Sequence, residues 1–292
     1  MTARAMRLLR GLQDRGLGVA FGLLVLAGFA AALMMRPVVW PQGLAFEDAQ
    51  RLLAFPSLRQ PMGTDANGRD VLARVIDGAR YAFMVPLAAL VVGIGLGAPV
   101  GLAAGLRGGS LDLLLRRLLQ GVGLVPPMLL AMALVSAMGP SLWHVVVAIG
   151  LLQAVGFARA MRDHVRAMHD SGFIEGAAAI GSPVLRTVMM HLLPNTLARI
   201  AGEIPRQAAW ALGTLAAMGF VGIATATSGT EWGSMIREGT EYLLAGQWWA
   251  ALFPGLALLL FGAALHTLAA SLDERLLLRG PPGSGNSAGG RG

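Results

Sequence analysis

The stretch AFMVPLAALVVGIGLGAPVGLAAG, residues 82–105, carries no charged side chain over 24 positions. A helix crosses the roughly 30 Å hydrocarbon core of a bilayer with about 20 apolar residues, and this run is longer than that. Within it Gly93, Gly97, Gly101 and Gly105 recur every fourth residue. They therefore share one face of a helix, where the missing side chains let another backbone come close. That face predicts either packing inside one bundle or a seam between subunits. The fragment GIGLG within the run follows no strand, so a dinucleotide-binding loop is excluded.

Runs of the same character lie over 17–35, 118–138, 143–160, 197–220 and 248–270. With 82–105 they predict an all-α polytopic membrane protein with six transmembrane helices. Composition agrees: 55% of the residues are hydrophobic and 13% charged, far from a soluble domain's usage. Pro86, Pro99, Pro126, Pro127, Pro205 and Pro254 fall in or at the ends of these runs. Each interior proline frees a carbonyl and tends to kink its helix, which suits a moving transporter better than a rigid anchor.

All 23 basic side chains are arginine, and lysine and cysteine are both absent. A phosphate-cradling Gly-x-x-x-x-Gly-Lys loop and Schiff-base chemistry both need lysine, so neither belongs to this chain. Thiolate nucleophiles, disulfides and cysteine-ligated metals are excluded too. The five histidines (His144, His164, His169, His191, His266) are scattered without metal-ligand spacing. No acid–histidine cluster supports an enzyme. The arginines instead report topology. With the N-terminus inside, 15 lie on the cytoplasmic side and 7 outside, six of the seven between residues 36 and 80. Both termini are therefore predicted to be cytoplasmic. The net charge of +7 belongs to this bias and not to nucleic-acid binding.

Between the fourth and fifth predicted spans lies EGAAAIGSPVLRTVMMHLLPN, residues 175–195. Glu175 sits in the first turn of a short helix, where a negative charge suits the dipole. Gly181 can end that helix left-handed, Ser182 can cap the next and Pro183 fits its first turn. Two short cytoplasmic helices with apolar sides need a surface to cover them: either a partner or the chain's own helix ends. Within the bilayer, Glu203 and Arg206 are three residues apart and can pair. They are candidates for the translocation path, or for a structural ion pair.

At these residues the sequence resembles the permease subunits of bacterial ABC importers in the dipeptide, oligopeptide and nickel family. The order Glu175, Gly176, Ala177, then Gly181, then Leu193 and Pro194 looks like their coupling loop, which docks on ATPase subunits. GTDANGRDVLARVIDGAR (63–80), LLPN (192–195), GFVGI (219–223), EWGSMIREG (231–239) and LFPGLAL (252–258) match further blocks in the family's order. The resemblance implies a homologous second permease, two ATP-binding subunits that hold ATP and Mg, and an extracytoplasmic substrate-binding protein, all at the inner membrane. No cofactor is expected in this chain. The cargo implied is a small peptide or a nickel or other metal chelate. Gly176 stands where alanine is usual, Leu215 where the family often has an acid, and Gly219 replaces a serine.

The predicted organisation is a basic cytoplasmic N-terminus (1–16), a first anchor and extracytoplasmic segment (17–80), a permease transmembrane domain (81–275) and a disordered tail (276–292). The rival from another class is a secondary transporter run by an ion gradient, with Glu203 as its membrane carboxylate.

Overall fold

The computed structural model describes residues 3–39, 50–122, 124–170, 190, 193–223 and 229–278. These are mostly helical, with one isolated antiparallel bridge, Thr64 to Asp70, and no strands among them. The helices are α1 (Ala3–Val39), α2 (Val71–Arg107), α3 (Gly109–Val122), α4 (Pro127–Met138), α5 (Leu142–Asp170), α6 (Leu193–Val221), α7 (Trp232–Thr240) and α8 (Trp249–Leu278).

Four helices are long and apolar enough to cross a membrane, with windows Gly16–Val39, Val71–Arg107, Leu142–Ala167 and Trp249–Leu272. They hold the predicted first, second, fourth and sixth spans. The predicted third span, 118–138, is split between α3 and α4, whose axes bend by 89°. Pro126 and Pro127 fall at the break, where they start α4 and deny α3 a continuation. The fifth lies within α6, which is not among the helices apolar enough to cross. Arg199, Glu203 and Arg206 load its first half with charge.

α2 is the axis of the bundle. The glycine seam packs inside the chain, against α5. A Cβ built on Gly97 would collide with the carbonyl oxygen of Ala154, and one on Gly101 with that of Ala158. At Gly93 it would come within 2.8 Å of the Gln153 Cβ, and at Gly105 within 2.7 Å of Val165. In lipid there is no hydrophobic drive between helices, so contacts of this closeness supply the packing. One apolar cluster joins α2, α4, α5 and α6 around Val85, Ala131, Ile149 and Met218. Another joins α2, α5, α6, α7 and α8 around Val75, Phe157, Leu212, Trp232 and Phe261.

α1 is peripheral: only 6% of its spanning window is buried. Contacts with α2, α7 and α8 hold it. Gly22 lies against the Ala264 carbonyl of α8. Phe29 meets Trp232 and Phe261 at centroid distances of 5.4 and 5.6 Å. Arg36 reaches Asp77 of α2 at 2.7 Å.

At 37 residues, or about 55 Å, α2 is longer than the hydrocarbon core is thick. Its first turns carry Arg74 and Asp77 and meet residues 50–70, α7 and the segment before it.

Candidate functional site

Three parts of the chain carry the chemistry, and the first is a polar cap at the start of α2. Asp70 caps α2 by accepting from the Leu72 N–H at 2.8 Å. Asp65 accepts from the backbone N–H groups of Asn67 and Arg69 at 2.8 and 2.9 Å, folding residues 65–69 into a tight turn. The same carboxylate takes Arg69 Nε at 3.0 Å and Arg74 Nη1 at 2.5 Å. Arg74 is 2% exposed. Its Nη2 donates to the Gly229 carbonyl and to Glu238 at 3.0 Å. One guanidinium thus ties three segments together. Beside it, Thr230 Oγ1 donates to Asp77 at 2.9 Å, and Trp232 Nε1 donates to the Val75 carbonyl at 2.8 Å. Trp249 Nε1 donates to the Thr64 carbonyl at 3.1 Å. The blocks 63–80 and 231–239, far apart in sequence, form one structure.

A cleft of about 200 Å³ opens here, lined by Asp65, Asn67, Arg69, Arg74, Glu238 and Glu241 among others. Charges of both signs line it, and the arginines are already engaged by acids. It suits contact with a mixed-charge protein surface better than capture of a free ion. Among the described residues, no group of three or more His, Asp or Glu is placed to hold a metal ion.

α7 is the wedge beneath this cap. Glu231 caps it, accepting from the N–H groups of Gly233 and Ser234 at 2.8 and 2.9 Å and from the Ser234 hydroxyl at 3.1 Å. Gly233 lies hard against the Ala216 carbonyl of α6, and Gly239 against Ala250 and Ala251 of α8. The Glu231 carboxylate occupies the space a side chain at Gly219 would need, which accounts for glycine there. Burial pushes the Glu231 carboxyl up to about 7, and its bonds to Gly233 and Ser234 oppose that rise only in part.

In the folded chain this acid therefore keeps a proton that the unfolded chain releases above about 4.5. Its stabilising contribution is complete below that pH and is lost as pH rises to about 7. Over that range wild-type stability is expected to fall by on the order of 3 kcal/mol more than that of Glu231→Gln. Thermal unfolding in detergent across these pH values checks this. Parallel pH profiles for the two proteins would contradict it.

The second part is the ion pair in α6. Arg206 Nη1 donates to both Glu203 oxygens at 2.9 and 3.0 Å. The pair is not sealed in the bundle, for the side chains are 47% and 32% exposed. Arg206, Gly213 and Phe220 are all exposed at seven-residue spacing, which marks one open stripe along α6. Facing it from inside, Gln153 of α5 donates to the Gln207 carbonyl at 2.8 Å. A charged pair exposed on a membrane helix needs a partner helix or a water-filled path to cover it.

The third part is the predicted coupling segment. Glu175, Gly176, Ala177 and Gly181 lie outside the described residues, and Leu193 and Pro194 form the first turn of α6. The segment joins the end of α5 to the start of α6, the helix that bears the open stripe.

Sequence reasoning singled out Glu203 and Arg206 but not Arg74, Asp65, Glu231 or Asp77 individually. The one signal for them was their place in quoted blocks, because partners such as Arg74 and Glu238 are 164 residues apart.

A bundle of apolar helices with a polar cap at one end and an exposed ion pair on one long helix has the build of a polytopic membrane protein. Residues 97–278 match the family described as binding-protein-dependent transport system inner membrane component, and the chain belongs to that family. It is 30% identical over 255 residues to the dipeptide transport system permease protein DppC of Alkalihalophilus pseudofirmus, covering 87% of this chain and 84% of that one. It is 28% identical to the probable D,D-dipeptide transport system permease protein DdpC of Escherichia coli, covering 87% of each. It is 29% identical to the glutathione transport system permease protein GsiD of Pectobacterium atrosepticum, covering 86% and 85%.

Proposed function

We propose that the chain is one of two homologous permease subunits of an ATP-driven importer that moves small peptides across the bacterial inner membrane. An extracytoplasmic binding protein delivers the cargo, and two ATPase subunits, which bind ATP and Mg, supply the energy. Both termini are cytoplasmic. The polar cap on α2 and α7 then faces outward and receives the binding protein. The stripe of Glu203, Arg206, Gly213 and Phe220 lines the path shared with the second permease. Residues 175–194 transmit ATPase closure to α5 and α6.

The observation that carries this reading is the likeness to peptide permeases over 87% of the chain. The nickel-chelate alternative drew on the departures at Leu215 and Gly219 and on the following loop, ATATSGTEWG (224–233), which lacks the family's usual Pro-Pro and whose residues 224–228 lie outside the described residues. Leu215 is 1% exposed inside an apolar cluster, and Gly219 makes room for Glu231. Both have structural reasons that do not involve cargo. Against the gradient-driven alternative, both oxygens of its one candidate carboxylate, Glu203, already accept from Arg206.

Coupling is tested at the loop. If Gly181 makes the left-handed turn that the sequence predicts, Gly181→Val costs about 1–2 kcal/mol there. If Glu175 stands at a helix start as the sequence predicts, Glu175→Arg costs about 0.3–1 kcal/mol. Neither is enough to unfold the bundle. Both variants are expected at normal membrane levels, with loss of ATPase co-purification and of peptide uptake. Normal uptake in both would overturn the assigned role of the loop.

A further inference from the structure

α6 changes character at Pro205. From 208 to 219 only Trp210, Gly213 and Ala217 are not buried, whereas from 201 to 207 only Gly202 is buried. The C-terminal half is held by its neighbours. Gly233 of α7 presses on the Ala216 carbonyl, the Glu231 carboxylate fills the space beside Gly219, and Gln153 of α5 donates to the Gln207 carbonyl at 2.8 Å. Gln153 is 1% exposed and is backed by Gly93 of α2. In lipid, side-chain amides of this kind tie one helix to another.

The helix is weakest between the two halves. Pro205 has no N–H to give the Ala201 carbonyl and its ring crowds that carbonyl, so a sharp bend comes most easily here. Gly202, about one turn earlier, adds backbone freedom. A side-chain contact bridges the gap: Arg206, after the proline, donates from Nη1 to both oxygens of Glu203, before it, at 2.9 and 3.0 Å. The two side chains are 47% and 32% exposed, and exposed pairs are weak. This one can hold a form of the helix without locking it.

We propose that α6 hinges at Pro205. The segment from Leu193 to Ile204 swings, while the segment from Gln207 to Val221 stays with α5 and α7. Gln153 is the fixed point, and the Glu203–Arg206 pair braces the described form, in which α6 is one continuous helix. The swinging arm begins within the predicted coupling segment, at Leu193 and Pro194. The hinge therefore turns a movement of that segment into a change at the Arg206 end of the open stripe, and the end beside α7 keeps its place. This deepens the transport reading and rests on it for the source of the movement; the hinge itself is a property of the chain.

The test measures distances between pairs of spin labels. The chain has no cysteine, so introduced cysteines carry the only labels. Gly95 and Gly213 have nothing within 4 Å of an added carbon and serve as reference sites, with a third label at Thr196 in the arm. Residue 196 lies about 13 Å from Pro205 along the helix, so a bend of about 20° moves it by about 5 Å. In the full chain alone in bilayer discs, Arg206→Gln should broaden the 95–196 distance distribution and leave 95–213 as it was. Adding Pro205→Ala should narrow it again. A 95–196 distribution that Arg206→Gln does not alter would overturn the proposal. In the complete assembly, trapping with ATP and vanadate should shift 95–196 by several ångströms and leave 95–213 in place, and Gln153→Leu should let 95–213 shift as well. Equal shifts at both pairs without that substitution would show a rigid tilt of α6 and overturn the hinge, as would no shift at 95–196 in an assembly that turns over ATP. Failure of the chain to join ATPase subunits would count against the transport reading alone, and the measurements on the lone chain decide the hinge either way.

Discussion

Gly97→Leu is expected to abolish accumulation of the chain in the membrane, whereas Gly95→Ala leaves it unchanged. A Cβ at Gly97 would overlap the Ala154 carbonyl oxygen and lie 2.9 Å from its Cα, so the obstacle is backbone. Overpacking a core by extra methylenes costs about 1–3 kcal/mol when side chains can move aside. Here two helices would have to separate along the seam that runs from Gly93 to Gly105, and the cost should reach or exceed that range. At Gly95 nothing lies within 4 Å of the added carbon. Gly97→Ala should fall between the two. Quantifying the membrane-inserted chain and its detergent melting checks this. Equal levels of Gly97→Leu and wild type would refute the close α2–α5 contact.

The second large effect is expected at Arg74. Replacement by methionine keeps much of the volume but leaves the Gly229 carbonyl and Glu238 without their shared donor, and Asp65 without its buried guanidinium partner. Removing one partner of a buried ion pair costs about 3–5 kcal/mol. Arg69→Gln removes a more exposed member of the network and should cost about 0–1 kcal/mol. Thermal unfolding of both variants in detergent measures the contrast. The loss in Arg74→Met should also free α7, so limited proteolysis between residues 229 and 245 should quicken. Equal melting of the two variants would show that Arg74 does not hold the cap together.

These two sites differ in how far the sequence revealed them. The glycine face of α2 was legible because helical periodicity is local, but its partner was not: spacing cannot say whether a small-residue face meets the same chain or another. Arg74, Asp77 and Glu238 stood out only as members of the quoted blocks 63–80 and 231–239. What gives them meaning is the return of the chain after α6, which brings Gly229, Thr230 and Trp232 to the start of α2. The third predicted span shows a different limit. Residues 118–138 are apolar enough to count as one segment, and hydropathy does not register direction. The paired prolines at 126 and 127 mark the break, which divides one apolar run between two helices. In α6 the charges that reduce its apolarity are Glu203 and Arg206, the residues flagged as functional. Function and span length compete there for the same positions.

As proposed, the chain is a peptide conduit driven by separate ATPase subunits. The most direct measurement is uptake of a labelled dipeptide into liposomes holding purified chain, with or without the second permease and the ATPase subunits, with binding protein supplied outside. The account predicts accumulation only in the complete assembly with ATP and Mg inside. It predicts none by the chain alone under a proton or sodium gradient. Gradient-driven accumulation by the lone chain would contradict it.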